Sequence, residues 1–60
     1  MLKAMNRIVV SEYINDNRKA IIAEDADGYV ILKYDGDKLV ATTNEKSINM
    51  AEHISEGWVA

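Results

Sequence analysis

The hydrophobic and polar positions change period once along the chain. From Met5 to Ile14 the apolar residues Ile8, Val9, Val10, Tyr13 and Ile14 are β-branched or aromatic, a set that suits a pleated surface better than a helix. Alternation is imperfect, because Glu12 shares a parity with Ile8, Val10 and Ile14, which fits an edge position or a β-bulge. Asn15, Asp16 and Asn17 form a polar cluster that predicts a turn. A second run, Lys19 to Asp25, contains Ile21 and Ile22 and leads to Asp27-Gly28, a dipeptide suited to a turn with positive φ. Tyr29 to Tyr34 is the most strand-like segment. Asp35, Gly36 and Asp37 follow it, and then a fourth run, Lys38 to Thr43.

Cross-strand pairs set the register of the last hairpin. With Asp35-Gly36 at the centre of the turn, Lys33 would face Lys38, a like-charge pair that lowers stability. With Gly36-Asp37 at the centre, as a type II′ turn with glycine first, Asp35 faces Lys38, Tyr34 faces Leu39 and Leu32 faces Ala41. The second register is preferred.

Beyond Thr43 the period becomes helical. At about 100° per residue, Met50, Ala51, Ile54 and Trp58 share a stripe with Ser47, and Ile48 lies at its margin. Lys46, Asn49, Glu52, His53 and Glu56 fall opposite. Thr42 and Glu45 have capping-box spacing and Asn44 is a competing N-cap, so the helix is expected to start near Asn44 or Glu45. Gly57 is either the residue that stops it, or the helix runs on to the chain end.

The elements predict an α+β fold, with an antiparallel β-meander of three to four strands followed by one C-terminal amphipathic helix packed on one face, as a single small domain over residues 1–60. Alternation puts Ile21, Ala23, Val30, Leu32, Tyr34, Leu39 and Ala41 on one sheet face. Ile22, Tyr29, Ile31 and Val40 fall on the other, among Glu24, Lys33 and Thr42. One helix covers one face. The apolar residues expected on the uncovered face, Ile22, Tyr29, Ile31 and Val40, are therefore candidate interface residues, and a two-fold homodimer is the expected partner. The competing expectation is that strand 1 or Met1 to Met5 folds over this face.

Length sharpens that expectation. Sixty residues without cysteine make a thin core with no disulfide or thiolate-bound metal to support it. The formal charge of -3, with Arg18 and Lys19 the only adjacent cations among seven, disfavours nucleic-acid binding. The acidic groups Glu24, Asp25, Asp27 and Asp35, Asp37 read as solvated turns. Lys3, Asn6 and Arg7 interrupt the N-terminal apolar residues, so neither a signal peptide nor a membrane span is expected, and a cytoplasmic location is. No low-complexity tract, internal repeat or linker divides the chain.

Candidate chemistry is sparse. His53 is the only histidine; with Glu52 and Glu56 beside it, it falls short of the three or four ligands a zinc site needs. Ser11, Ser47 and Ser55 have one possible base between them, and no nucleophile elbow or oxyanion hole is marked. The aspartates around Gly28 and Gly36 lack the further oxygen ligands of a calcium loop and have no desolvation to separate paired carboxylates. No phosphate-binding glycine loop occurs. The expectation is a non-enzymatic chain with no catalytic residue, cofactor or metal.

The stretches Gly28-Tyr29-Val30-Ile31-Leu32-Lys33-Tyr34-Asp35-Gly36-Asp37-Lys38-Leu39-Val40 and Ala51-Glu52-His53-Ile54-Ser55-Glu56-Gly57-Trp58-Val59 resemble small uncharacterised proteins encoded by T4-like cyanophages and related phages. The resemblance covers roughly the C-terminal half. It implies a strand meander followed by a helix, and a phage accessory protein in the host cytoplasm that acts on a host component, with no activity to assign to any residue. The functional expectation is a small protein-binding or regulatory module, self-associating through the sheet face or an edge strand and able to contact a host protein. The alternative is a structural accessory or assembly component of a virion.

Overall fold

Four strands of eight residues, each joined to the next by two residues, and one helix make up residues 8–60, the part described by the computed structural model. The elements are β1 (Ile8–Asn15), β2 (Arg18–Asp25), β3 (Gly28–Asp35), β4 (Lys38–Glu45) and α1 (Ile48–Val59). The sheet order is β1-β2-β3-β4 with every neighbour antiparallel, so the expected α+β meander with one C-terminal helix is the fold. Met5 to Arg7, included above in the first strand, and the expected cover by Met1 to Met5 lie outside the described residues.

Strand starts at Ile8, Arg18, Gly28 and Lys38 reveal a ten-residue spacing that the strand residues hide. It is carried by turn chemistry: Asn15, Asp25 and Asp35 precede the three turns, and Asn17, Asp27 and Asp37 are their second residues. Asp16 supplies the first turn's positive φ of 54° and Gly36 the third's, at 66°, each among the residue types that tolerate it. The second turn is Ala26-Asp27, one residue earlier than expected, and the Asp27 N–H donates to the Asp25 carboxylate at 2.9 Å. Gly28 instead opens β3 at φ 137°, where a Cβ would lie 2.7 Å from the Glu45 carbonyl oxygen. Close approach of backbone to backbone, as well as torsion, requires glycine there.

Both edge strands are bulged. In β1 the register shifts between Val9 and Ser11, leaving Val10 as the extra residue. In the β3–β4 hairpin Asp35 faces Lys38 and Tyr34 faces Leu39 as expected, but Lys33 then faces Ala41, so Val40 is the extra residue and Leu32 faces Thr42 rather than Ala41. A one-residue slip exchanges the two sheet faces. Ala41 therefore lies on the face of Ile31, and Thr42 on that of Leu32.

The helix begins later than expected. Asn44 and Glu45 are the last residues of β4, and Ser47 is the N-cap, its hydroxyl accepting from the Met50 N–H at 3.4 Å while the Ala51 N–H donates to the Ser47 carbonyl at 3.0 Å. It continues through Gly57 to Val59, as in the second of the two expectations for its end. Its contact stripe is rotated from the expected one: Ala51 and Ser55 are buried, whereas Met50 is exposed. Small side chains at these i, i+4 positions let the helix approach Ala20, Ile22 and Ile31 closely. The buried Ser55 hydroxyl donates to the Ala51 carbonyl at 2.8 Å, so burying it leaves no unmatched donor.

Candidate functional site

The helix covers the face opposite to the one expected. Ile22 and Ile31, predicted on the uncovered face, are both 0% exposed and form the core with Ala20 and Ala51; Tyr29 packs half-buried against that core. Of the four predicted interface residues only Val40 is exposed, and it is the bulged residue of β4. The partition of β2 and β3 into two faces is as expected, but which face is covered depends on how the helix can be held there. Asn15 Nδ2 donates to the Val59 carbonyl at 2.6 Å and Arg18 donates to the Trp58 carbonyl at 3.1 Å, both satisfying groups that a helix C-terminus leaves open. The Arg18 guanidinium also lies 4.5 Å from the centre of the Trp58 ring, and the Lys33 ammonium 5.9 Å from it. Asn15, Arg18 and Lys33 all belong to the face of Ile22 and Ile31.

Among the described residues the other face carries no helix. Register places three cross-strand rows on it: Ile14, Lys19, Tyr34 and Leu39; Glu12, Ile21, Leu32 and Thr42; Val9, Ala23, Val30 and Asn44. Val9, Ile14 and Leu39 are 64%, 66% and 47% exposed, Ile21, Leu32 and Tyr34 are half-buried, and Ala23 and Val30 are buried. The Lys19 ammonium sits 4.9 Å from the centre of the Tyr34 ring, which leaves its stem along the apolar row. This contiguous apolar face is the candidate site. Its residues Val9, Ile14, Ile21, Leu32 and Leu39 replace Ile22, Tyr29 and Ile31 as the candidate interface. That Ile21, Leu32 and Leu39 share a face was readable from alternation; that Val9 joins Ile14 on it depends on the bulge at Val10, and the identity of the covered face was not readable.

The remaining candidates have structural roles or stand apart. Ser47 caps the helix, Ser55 bonds within it, and Ser11 bonds the Tyr13 hydroxyl. Burial pushes the Tyr13 phenol above its ordinary value near 10, and the Glu52 and Glu56 carboxylates push it further, against the Ser11 bond. His53 is exposed on the outer side of α1. A cleft of about 200 Å³ lies at the turn between β2 and β3, lined by Asp25, Asp27, Tyr29, Asn44, Glu45 and Lys46, smaller than the roughly 300 Å³ at which ordinary ligand pockets begin. Among the described residues no group of three or more histidine, cysteine, aspartate or glutamate residues could hold a metal ion, and no helix is long and apolar enough to cross a membrane.

No protein-family model, curated protein or solved structure matches the chain.

Proposed function

We propose that the chain is a small non-enzymatic protein-binding module that works through the sheet face opposite α1 and self-associates there. The supporting observation is the contiguous apolar face: Val9, Ile14 and Leu39 stand exposed around half-buried Ile21 and Leu32. Apolar surface of this extent on a small chain marks a contact surface. Burying it at about 25 cal/mol per Å² adds directly to the stability of a domain with so few buried side chains. The edge strands are the weaker route, because the bulges at Val10 and Val40 interrupt the straight ladder that edge pairing needs.

In the phage setting implied by the resemblance of Gly28 to Val40 and Ala51 to Val59, the same face is the surface offered to a host component. Sedimentation equilibrium at low micromolar concentration tests the self-association. The wild-type chain is expected to be dimeric and Leu39→Glu monomeric with an unchanged circular dichroism spectrum. A wild-type chain that is monomeric throughout would overturn the reading.

A further inference from the structure

Burial on the face opposite α1 changes along the strands. In the row at the start of β1, Ala23 and Val30 are 2% and 3% exposed, while Val9 beside them is 64% exposed and Asn44 is exposed as well. One row further, Ile21 and Leu32 of the same two strands are half-buried, and at the far end Ile14 and Leu39 are exposed. Neighbours within the sheet do not produce this gradient. A side chain on one face is flanked by the residues two places before and after it and by its cross-strand partners. For Val30 these are Gly28, which has no side chain, Ala23, which has one carbon, and Leu32 and Asn44. Side chains stand roughly perpendicular to a sheet, so neighbours this short wall Val30 in part and would leave its outer methyl groups in water. A group lying above the sheet is needed to seal it. The helix is on the opposite face, against Ala20, Ile22 and Ile31, and among the described residues no helix or strand lies over Val30.

We propose that the segment Met1 to Arg7 supplies this cover, folding back from Ile8 across the face and seating Leu2 and Met5 over Ala23 and Val30. Position favours this occupant, because the segment joins the sheet at Ile8, next to Val9 of the sealed row. Length allows it. Seven residues at about 3.3 Å each reach roughly 23 Å, whereas β1 to β4 is three strand spacings, roughly 14 Å. Its chemistry fits too: Met1, Leu2, Ala4 and Met5 are apolar, while Lys3, Asn6 and Arg7 can keep their polar ends in water. A second copy is the weaker occupant, because Ala23 and Val30 are already buried within one chain, and a partner buries only what one chain leaves open. The cover does not rest on the self-association reading above. It confines the surface available for that contact to the far end of the face, around Ile14 and Leu39.

Nuclear Overhauser contacts in the intact wild-type chain test the placement, with a mixture of labelled and unlabelled chains separating contacts within a chain from those between chains. The expected result is contacts within one chain from the Leu2 or Met5 methyl groups to those of Ala23 or Val30. Contacts that arise only between chains would seat a second copy there, overturning the proposal while supporting self-association. No contact from residues 1–7 to either side chain would overturn it and leave self-association as it stands. The absence of cysteine allows a chemical readout. Ala23→Cys is compared with Thr42→Cys, which is exposed on the same face, at submicromolar concentration, each rate of maleimide modification being divided by that of the same chain in urea. Ala23→Cys is expected to react about tenfold more slowly or less. Adding Leu2→Asp and Met5→Asp to it is expected to remove most of that protection while the circular dichroism spectrum stays that of the folded chain. Protection that survives both substitutions, or equal rates at the outset, would overturn the proposal.

Discussion

The indole N–H of Trp58 donates to the backbone carbonyl oxygen of Tyr34 at 3.2 Å, tying the last turn of α1 to β3 beside the point where the bulge at Val40 shifts the ladder. The bond works with the Arg18 and Lys33 cations near the same ring and with the Asn15 and Arg18 donors on the helix's final carbonyls. One side chain is thus a packing group, a donor and a π surface at the site that fixes which sheet face is covered. Trp58→Ala is expected to destabilise the chain by about 2–3 kcal/mol, below the usual 3–5 for a fully buried tryptophan because Trp58 is half-buried. Urea unfolding followed by circular dichroism measures it, and a loss under 1 kcal/mol would show that the helix is held mainly elsewhere.

Gly57 lies inside α1, two residues before its end, and a Cβ added there meets no atom within 4 Å. Glycine in a helix interior is less favourable than alanine by roughly 0.5–1 kcal/mol. Gly57→Ala is expected to raise stability by about that amount in thermal or urea unfolding. A destabilised variant would mean that the helix ends before Gly57.

Gly28 gives the opposite sign. Its φ of 137° and the Glu45 carbonyl oxygen 2.7 Å from an added Cβ leave alanine both strained and obstructed by backbone. Gly28→Ala is expected to destabilise by about 1–3 kcal/mol, detected as a lower urea midpoint. An unchanged midpoint would show that the β2–β3 turn and the end of β4 separate freely.

Tyr13 links stability to alkaline pH. Burial and the Glu52 and Glu56 carboxylates raise its pKa in the folded chain above the ordinary value near 10, so folding favours the neutral phenol. That contribution is fully present below the unfolded pKa and is lost as pH rises through the folded one. Tyr13→Phe, which keeps the ring and removes the titrating group, is expected to flatten the loss of stability above pH 10 relative to wild type. Parallel stability curves for the two chains over that range would remove Tyr13 as its source.

Much of the fold was readable because turn chemistry and strand alternation agree. The Gly36-Asp37 turn, the pairs of Asp35 with Lys38 and Tyr34 with Leu39, and the edge irregularity near Glu12 all follow from local residue types. The Val40 bulge did not, because Val-Ala-Thr-Thr fits either phase of a strand and only the β3 partner settles it. The helix start was misplaced for a related reason: Thr42, Asn44 and Glu45 carry good capping chemistry, yet pairing with Leu32, Val30 and Tyr29 keeps them in the sheet. The covered face was misassigned because alternation separates the two faces without saying on which of them a helix can dock. The helix is held instead on the side that offers a small residue for close approach, Ala20 in the core with Ala51, and donors for its C-terminus, Asn15 and Arg18. The candidate interface was inverted by the same error.

Ile31 and Leu39 separate the two faces by experiment. Ile31 is 0% exposed in the core beneath α1, whereas Leu39 is 47% exposed on the face opposite α1. A lysine at position 31 would bury an ammonium without a paired carboxylate, a penalty of several kcal/mol against a stability that is itself about 5–15 kcal/mol in ordinary domains. Ile31→Lys is therefore expected to abolish the cooperative unfolding transition, while Leu39→Lys keeps that transition and its midpoint in a monomeric sample at submicromolar concentration. The comparison must be made there, because at higher concentration dimer stabilisation would lower the apparent midpoint of Leu39→Lys relative to wild type through mass action alone. Retention of a native transition by Ile31→Lys together with its loss in Leu39→Lys would place the helix on the other face of the sheet.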